Sequence, residues 1–436
     1  MFSVGILNGK IYINGSWLHG NLYIKDDKIA AISGSCLEAA TEYDAGGRYV
    51  LPGFIDPHVH FALSSGRYTS ADNFRTGSIS AAFGGITTFI DFIDPVCRAD
   101  DMEKAYEKRR LLSMDSVIDY GLHATISNPG DDPGVMIKRM KELGMPTAKF
   151  FTAYSSSNRS TKDDYLDKML SASKEGSVMV LVHAENEGII KEGEGIRVPE
   201  HEASRPAASE ISEVIKLAEM SRLRDGLLYI VHVSCGTTVE RLKEGYGELL
   251  GKNIFIESCP HYFTFNSSVY EGDKGGLYTM IPPLRHEKER KSLIKGVKSV
   301  YAIATDHCPF NAADKSMEYT THIPMGIGGV EHSFSLMYSL FGEDIIDKFT
   351  KNPAQVHGLY PRKGTLMPGC DADVAIFDPQ RQWRVREHNS SCDYIPYEGI
   401  NLKGRVVSTV SRGRFIVKDG VYQGGLGQYI ARERQS

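Results

Sequence analysis

No two cysteines in this 436-residue sequence stand in C-x-x-C spacing, and the seven that occur, at 36, 97, 235, 259, 308, 370 and 392, are odd in number and scattered. That excludes a disulfide framework and a zinc knuckle, and leaves the thiols as small buried hydrophobes. No apolar run is long enough to cross a bilayer, and Met1–Ser16 has neither the basic start nor the apolar stretch of a secretory signal. The chain is therefore expected in the cytoplasm, without a membrane partner. A basic surplus is missing too. Lys and Arg number 50 against 55 Asp and Glu, a net charge of −5, which gives a nucleic-acid partner no footing. Low-complexity tracts are absent.

What is present is 41% hydrophobic residues, enough for a large core. The first 50 residues, as in "ILNGKIYINGSWLHGNLYIKDDKIAAIS", alternate apolar and polar positions around Asn-Gly and Asp-Asp turns, as short antiparallel strands do. The C-terminal segments "DADVAIFDP" and "RVVSTVSRGRFIVKDGVY" do the same. Residues 1–50 and 361–436 are therefore predicted to meet in one small β-sandwich domain.

Between them, residues 51–360 alternate short apolar strands with amphipathic helices. The strands are "YVLPGFIDPHVH", "ITTFIDF", "YGLHATI", "TAKFFTAY", "VMVLVHAE", "LLYIVHVS", "NIFIESC" and "VYAIATDH". Helices over Asp100–Ser113, Gly134–Leu143, Ala208–Leu223, Val239–Leu250 and Glu287–Lys298 fall between them. About eight such units predict an α/β fold, a TIM (β/α)8 barrel, with a doubly wound open sheet as the alternative.

Polar residues recur at the strand tips. The first strand ends in His58 and His60, which the period-two pleat points the same way, a natural half-site for a divalent metal. The fifth strand ends in His183, the sixth in His232 and the eighth in Asp306. In a barrel these tips converge on the face where active sites are built, and their number suggests two metal ions. Lys149, in "TAKFF", puts an ammonium on an otherwise apolar fourth strand, where two cations would repel it. Its amine, after adding CO2, would be a carbamate whose two oxygens can bridge a metal pair.

The order H-x-H, strand-four Lys, strand-five His, strand-six His, strand-eight Asp resembles the binuclear amidohydrolase superfamily. Within it, "FGGITTFIDF", "AKFFTAY", "VHAEN", "IVHVSCG", "IESCPHY", "TDHCPFN" and "NPAQVHGLYPRKGTLMPGCDADVAIFDP" resemble the hydantoinase and dihydropyrimidinase family, over nearly the whole chain. The resemblance implies a cyclic amidohydrolase that opens the ring amide of hydantoins or dihydropyrimidines with a metal-bridging hydroxide. His58, His60 and Asp306 would hold one metal and His183 and His232 the other, with carbamylated Lys149 between them. Zinc is the implied metal, although the ligands also suit manganese or cobalt. Asp306 would act as the proton shuttle and Tyr154 as the oxyanion donor. A homotetramer or homodimer is the implied assembly.

Two positions depart from the family pattern. Ile281 in "TMIPPLR" and Met325 in "HIPMGIGG" stand where relatives usually carry Ser, or Asn or Ser, so the substrate pocket is expected to be more apolar. Allantoinase and dihydroorotase are neighbouring readings, but dihydroorotases place an Arg directly after H-x-H, where Phe61 and Ala62 stand here; Arg67 is read as a solvated loop residue. A non-enzymatic assembly protein of this family would be expected to lack metal ligands, and all six candidates are present. His123 is expected to be a buried, hydrogen-bonded residue, and His201, His261, His307, His322 and His332 are candidates for orienting the ligands.

Overall fold

The computed structural model describes residues 1–434. Eight parallel strands pair in sequence order: Phe54–Asp56, Ile86–Phe92, Asp119–Thr125, Thr147–Phe151, Met179–His183, Leu228–Ile230, Ile254–Ser258 and Ala302–Ile303. Their residues are almost all buried, as expected for strands covered by helices outside and packed side chains inside. The ring closes beyond the short first and eighth strands. Val59 bridges His307, the His60 amide donates to the His307 carbonyl at 2.9 Å, and the Asp56 carboxylate takes the Thr305 amide at 3.1 Å.

The helices lie where amphipathic periodicity puts them, at Ala99–Leu112, Pro133–Glu142, Ala207–Arg224, Gly236–Tyr246 and Glu287–Gly296. Among the described residues, no helix is long and apolar enough to cross a membrane.

The terminal strands form one branched, mainly antiparallel sheet of nine strands around its own core, in which Val4, Ile6, Leu22, Val374, Ile376 and Val410 are buried together. Phe2–Ile13 is the branch point: its first half pairs in parallel with Ala39–Asp44 and its second half with Tyr49–Pro52. Tyr49–Pro52 in turn pairs with Val374–Arg384, which joins the two ends of the sequence.

The stretch predicted as one strand, "YVLPGFIDPHVH", is therefore two. Tyr49–Pro52 belongs to the terminal sheet and Phe54–Asp56 to the barrel. The chain changes partner at Gly53, whose backbone passes so close to Thr87 that a Cβ there would lie 2.2 Å from the Thr87 hydroxyl. Beyond the sheet the C-terminal segment returns under the barrel, with Ile430 donating to the Tyr120 carbonyl at 2.7 Å and the Arg432 guanidinium donating to the His357 carbonyl and the Thr147 hydroxyl at 2.9 and 3.0 Å.

Candidate active site

All six candidate ligands meet at the C-terminal mouth of the barrel, most of them just past the last paired residue of a strand. His58 and His60 follow Asp56, His232 follows Ile230 and Asp306 follows Ile303, whereas Lys149 and His183 lie within their strands. His232 and Asp306 adopt left-handed φ values of 41° and 50°, and Tyr154 does so at 74°. Each such conformation in a non-glycine residue costs about 1–3 kcal/mol, and strain of this kind collects at functional sites.

Asp306 Oδ1 lies 3.2 Å from His58 Nε2 and 3.0 Å from His60 Nε2, so one carboxylate oxygen and two imidazoles share a point. On the other side, His183 Nδ1 and His232 Nε2 are 3.0 Å apart. The His58 and His232 ring centroids, 5.5 Å apart, join the two groups. Burial lowers the pKa of His60, His183 and His232, which leaves neutral rings with free lone pairs for a metal. Burial alone would raise the Asp306 carboxyl, but His58 and His60 more than offset it and hold it ionised.

Lys149 is 3% exposed, with its Nζ 5.5 and 5.4 Å from the centres of the Phe92 and Phe151 rings. Burial pulls its ammonium down to about 8, so the neutral amine needed to add CO2 is accessible near physiological pH.

The residues fit a pair of divalent ions. His232 Nδ1 is buried and without a hydrogen-bond partner among the described residues, and the His183–His232 and His58–His60–Asp306 groups present nitrogen and oxygen donors of the type such ions take. The other convergence of three carboxylates, Asp119, Asp371 and Asp373, closes on the Lys363 ammonium at 2.9, 3.1 and 2.5 Å, and Arg412 on Asp119 with Lys28 and Arg362 on Asp371 balance the remaining charge.

Carboxylates behind the ligands fix their orientation, and the sequence reading passed over them. Glu257 accepts from His58 Nδ1 at 2.8 Å, from the His232 amide at 3.0 Å and from the Tyr229 hydroxyl at 2.9 Å. That bond puts the His58 proton on Nδ1 and leaves Nε2 as the donor atom. Glu185 does the same for the second group: it lies 2.8 Å from His183 Nε2 and takes two bonds from Arg205, at 3.2 and 2.7 Å. For Glu185 the signal is its place two residues after His183, whereas Glu257, near the end of the seventh strand in "IES", carries none, since its partner His58 comes from another strand.

The other histidines lie outside the ligand groups. His123 is buried within the third strand, bonded to the Thr147 hydroxyl at 2.6 Å and the Pro57 carbonyl at 2.8 Å, and so supports the segment entering His58. His307 is bonded to Asp72 at 2.9 Å while its Nδ1 accepts the Gly329 and Val330 amides. His201 donates to the Met280 carbonyl at 2.9 Å, His261 and His332 are buried, and His322 is exposed at the mouth.

Above the ligands opens a cavity of about 650 Å³, large enough for a ring of drug-fragment size. Tyr154 lines it with its ring 5.1 Å from that of His183, and burial pushes its phenol up, so the hydroxyl remains a hydrogen-bond donor. Ile281 and Met325 line the cavity as well. Phe61 turns away into the core against Phe74 and Phe89. Arg109 reaches the same region but is held by Asp91 at 2.7 Å and by the Phe61 carbonyl, and Arg67 is exposed, stacked on Tyr68 at the rim.

Comparison with known proteins agrees with this geometry. The Amidohydrolase family profile matches residues 49–416. The chain is 33% identical to a D-hydantoinase of Geobacillus stearothermophilus, over 98% of this chain and 96% of that protein. It is 32% identical to a D-phenylhydantoinase of Escherichia coli O127:H6, over 90% and 89%. Among solved structures, a dihydropyrimidinase from Brevibacillus agri NCHU1002 superposes with a TM-score of 0.92 at 29% identity, covering all of both chains. With its eight-stranded barrel and histidine-lined mouth, the chain belongs to the amidohydrolase family, in its hydantoinase and dihydropyrimidinase branch.

Proposed function

We propose that the protein hydrolyses the ring amide of hydantoins or dihydropyrimidines with two divalent metal ions. The observation that carries this reading is the convergence of two imidazole pairs, Asp306 and Lys149 beneath a cavity with an apolar wall. In this reading His58, His60 and Asp306 would hold one ion and His183 and His232 the other, with Lys149, as a carbamate, supplying anionic oxygen ligands. Zinc fits the donor set. Cytoplasmic location and a homodimer or homotetramer belong to the same reading, by likeness to the family.

When bound, the metal pair supplies a Lewis acid for the amide carbonyl and lowers the pKa of the attacking water. The chain's own groups do the rest. Asp306, ionised at neutral pH, takes the proton of that water and returns it to the ring nitrogen, which leaves only once protonated. The Tyr154 hydroxyl, protonated and facing the cavity, donates to the oxygen that becomes negative as the carbonyl turns tetrahedral. Ile281 and Met325 present apolar surface to the ring substituent, where each buried methylene is worth about 0.8 kcal/mol.

Among the described residues, the one buried arginine lining the cavity, Arg109, is already paired with Asp91, and Arg67 and Arg159 line it only as exposed residues, which argues against a carboxylate-bearing ring. The test is kcat/KM for dihydrouracil, a phenyl-substituted hydantoin, allantoin and dihydroorotate, with metal content measured on the same preparation. Preference for either of the first two supports the reading; preference for dihydroorotate or allantoin reassigns the substrate, and no turnover by fully metallated protein overturns it.

A further inference from the structure

Lys315 is fully buried, yet among the described residues no carboxylate pairs with it; the ionisable groups that bear on it are the Cys308 and Cys392 thiols and the His201 ring. Its Nζ donates instead to three backbone carbonyls, those of Thr279 at 2.7 Å, Pro324 at 2.9 Å and Gly326 at 2.9 Å. Three carbonyls aimed at one nitrogen require three N–H donors, which only the ammonium form has. Burial draws that ammonium down to about 7, and hydrogen bonds to three acceptors favour the charged form against it.

The acceptors come from two separate loops. Thr279 lies two residues before Ile281, and Pro324 and Gly326 flank Met325 on either side. The only other tie between these stretches among the described backbone bonds runs from the Gly326 amide to the Thr279 carbonyl, at 3.0 Å. Gly326 itself has φ of 138°, and a Cβ there would lie 2.5 Å from the Cys308 carbonyl, so this residue can turn its carbonyl toward Lys315 only as glycine. On the far side, His201 holds the Met280 carbonyl. Both loop backbones are thus fixed from behind while their side chains face the cavity.

We propose that Lys315 is a positioning residue that staples the two substrate-facing loops and so sets the separation between Ile281 and Met325, the width of the pocket for a ring substituent. The proposal rests on the reading of the cavity as a cyclic-amide site. Lys315 touches neither the metal ligands nor the reacting bond, so removing its charge should act on substrate binding and selectivity and leave the chemical step nearly intact.

The experiment compares wild-type holoenzyme with Lys315→Met, which has no donor, and Lys315→Gln, which keeps two N–H groups. In Lys315→Met, KM for a phenyl-substituted hydantoin should rise by about tenfold or more with kcat changed less than about threefold, and KM for unsubstituted dihydrouracil should move less than about threefold. Amide exchange at 279–281, 323 and 325–327 should accelerate in both loops together, the Gln variant should fall between, and metal content should stay at the wild-type value. Equal losses on both substrates, loss of metal, or unchanged exchange in the two loops would overturn the staple. Should Lys315→Met fail to fold, wild-type exchange and selectivity in Lys315→Gln would overturn it equally. If the wild type turns over neither substrate, the cyclic-amide reading fails, and the exchange data alone judge the staple.

Discussion

Glu257→Gln tests whether the carboxylates behind the ligands tune the metal site or merely fill space. Glu257 is 1% exposed and serves three donors, two of them belonging to ligands: the His58 ring and the His232 amide. The amide variant keeps one acceptor oxygen and the volume, and the Tyr229 hydroxyl can rotate from donor to acceptor, so the fold should persist. What is lost is the negative charge that makes the His58 bond charge-assisted. A charge-assisted bond is worth about 1.5–3 kcal/mol net, against about 1 kcal/mol for a neutral one. A further part is lost whenever the new NH2 group faces His58 and forces the wrong tautomer. The difference, about 0.5–2 kcal/mol before any such flip, weakens the hold on metal by up to about 30-fold, within the 10–100-fold range found when such outer partners are changed. Chelator titration followed by metal analysis reads this directly. Loss should be biphasic, with the ion at His58, His60 and Asp306 leaving first. Glu257→Ala, which strands all three donors, should in addition destabilise the chain by about 3–5 kcal/mol. If the same chelator concentration strips wild type and Glu257→Gln alike, the orienting role is refuted.

Asp306→Asn should keep the fold and lose nearly all turnover, because an amide cannot cycle a proton, while Tyr154→Phe should lose about 10²–10³ in kcat; equal, near-wild-type rates in steady-state assays would refute both roles. Asp72, fully buried, titrates at about 2: burial raises it, but His307, Ser390 and the Ser391 amide outweigh burial. A carboxyl depressed in the folded state adds stability above its unfolded pKa near 4 that disappears as pH falls toward 2, here on the order of 2 kcal/mol. In urea unfolding of chelator-treated protein, the gap between wild type and Asp72→Asn should therefore close between pH 4 and pH 2, and a constant gap would contradict the assignment. Lys363→Met leaves Asp119, Asp371 and Asp373 without their shared cation and should cost about 3–5 kcal/mol in the same assay, with a change under about 1 kcal/mol as the refuting result.

Much of this was legible in the chain because a barrel writes itself locally. Strands such as "MVLVH" and "IFIES" are continuous apolar runs since both faces are buried, and a polar residue where such a run ends stands out. What could not be read is pairing across the barrel. Glu257 reaches His58 from the seventh strand to the first, past the eighth, and only closure of the ring decides that contact. In "IESC" nothing separates an orienting glutamate from a solvated strand end. The branching of the terminal sheet at Phe2–Ile13 was hidden for the same reason: alternation reveals a strand but not how many neighbours it has. Lys315 ends the short helix Ala312–Lys315 in a polar stretch of sequence, where a lysine is ordinarily solvated, and its burial depends on carbonyls brought from two other segments.

The pairing of Pro52 with Val374 also bears on how the chain is made. During synthesis the strands from Phe2 to Pro52 emerge first but wait for Val374–Arg384 and Asn401–Ser411, while the whole barrel is translated in between. At about 5–20 residues per second that wait is tens of seconds, with an open sheet edge exposed to other nascent chains. A circular permutant that places Phe2–Pro52 after Asn401–Ser411 and opens the chain in an exposed barrel loop would bring the two halves of the sheet out together, and it should aggregate less during expression than the present order.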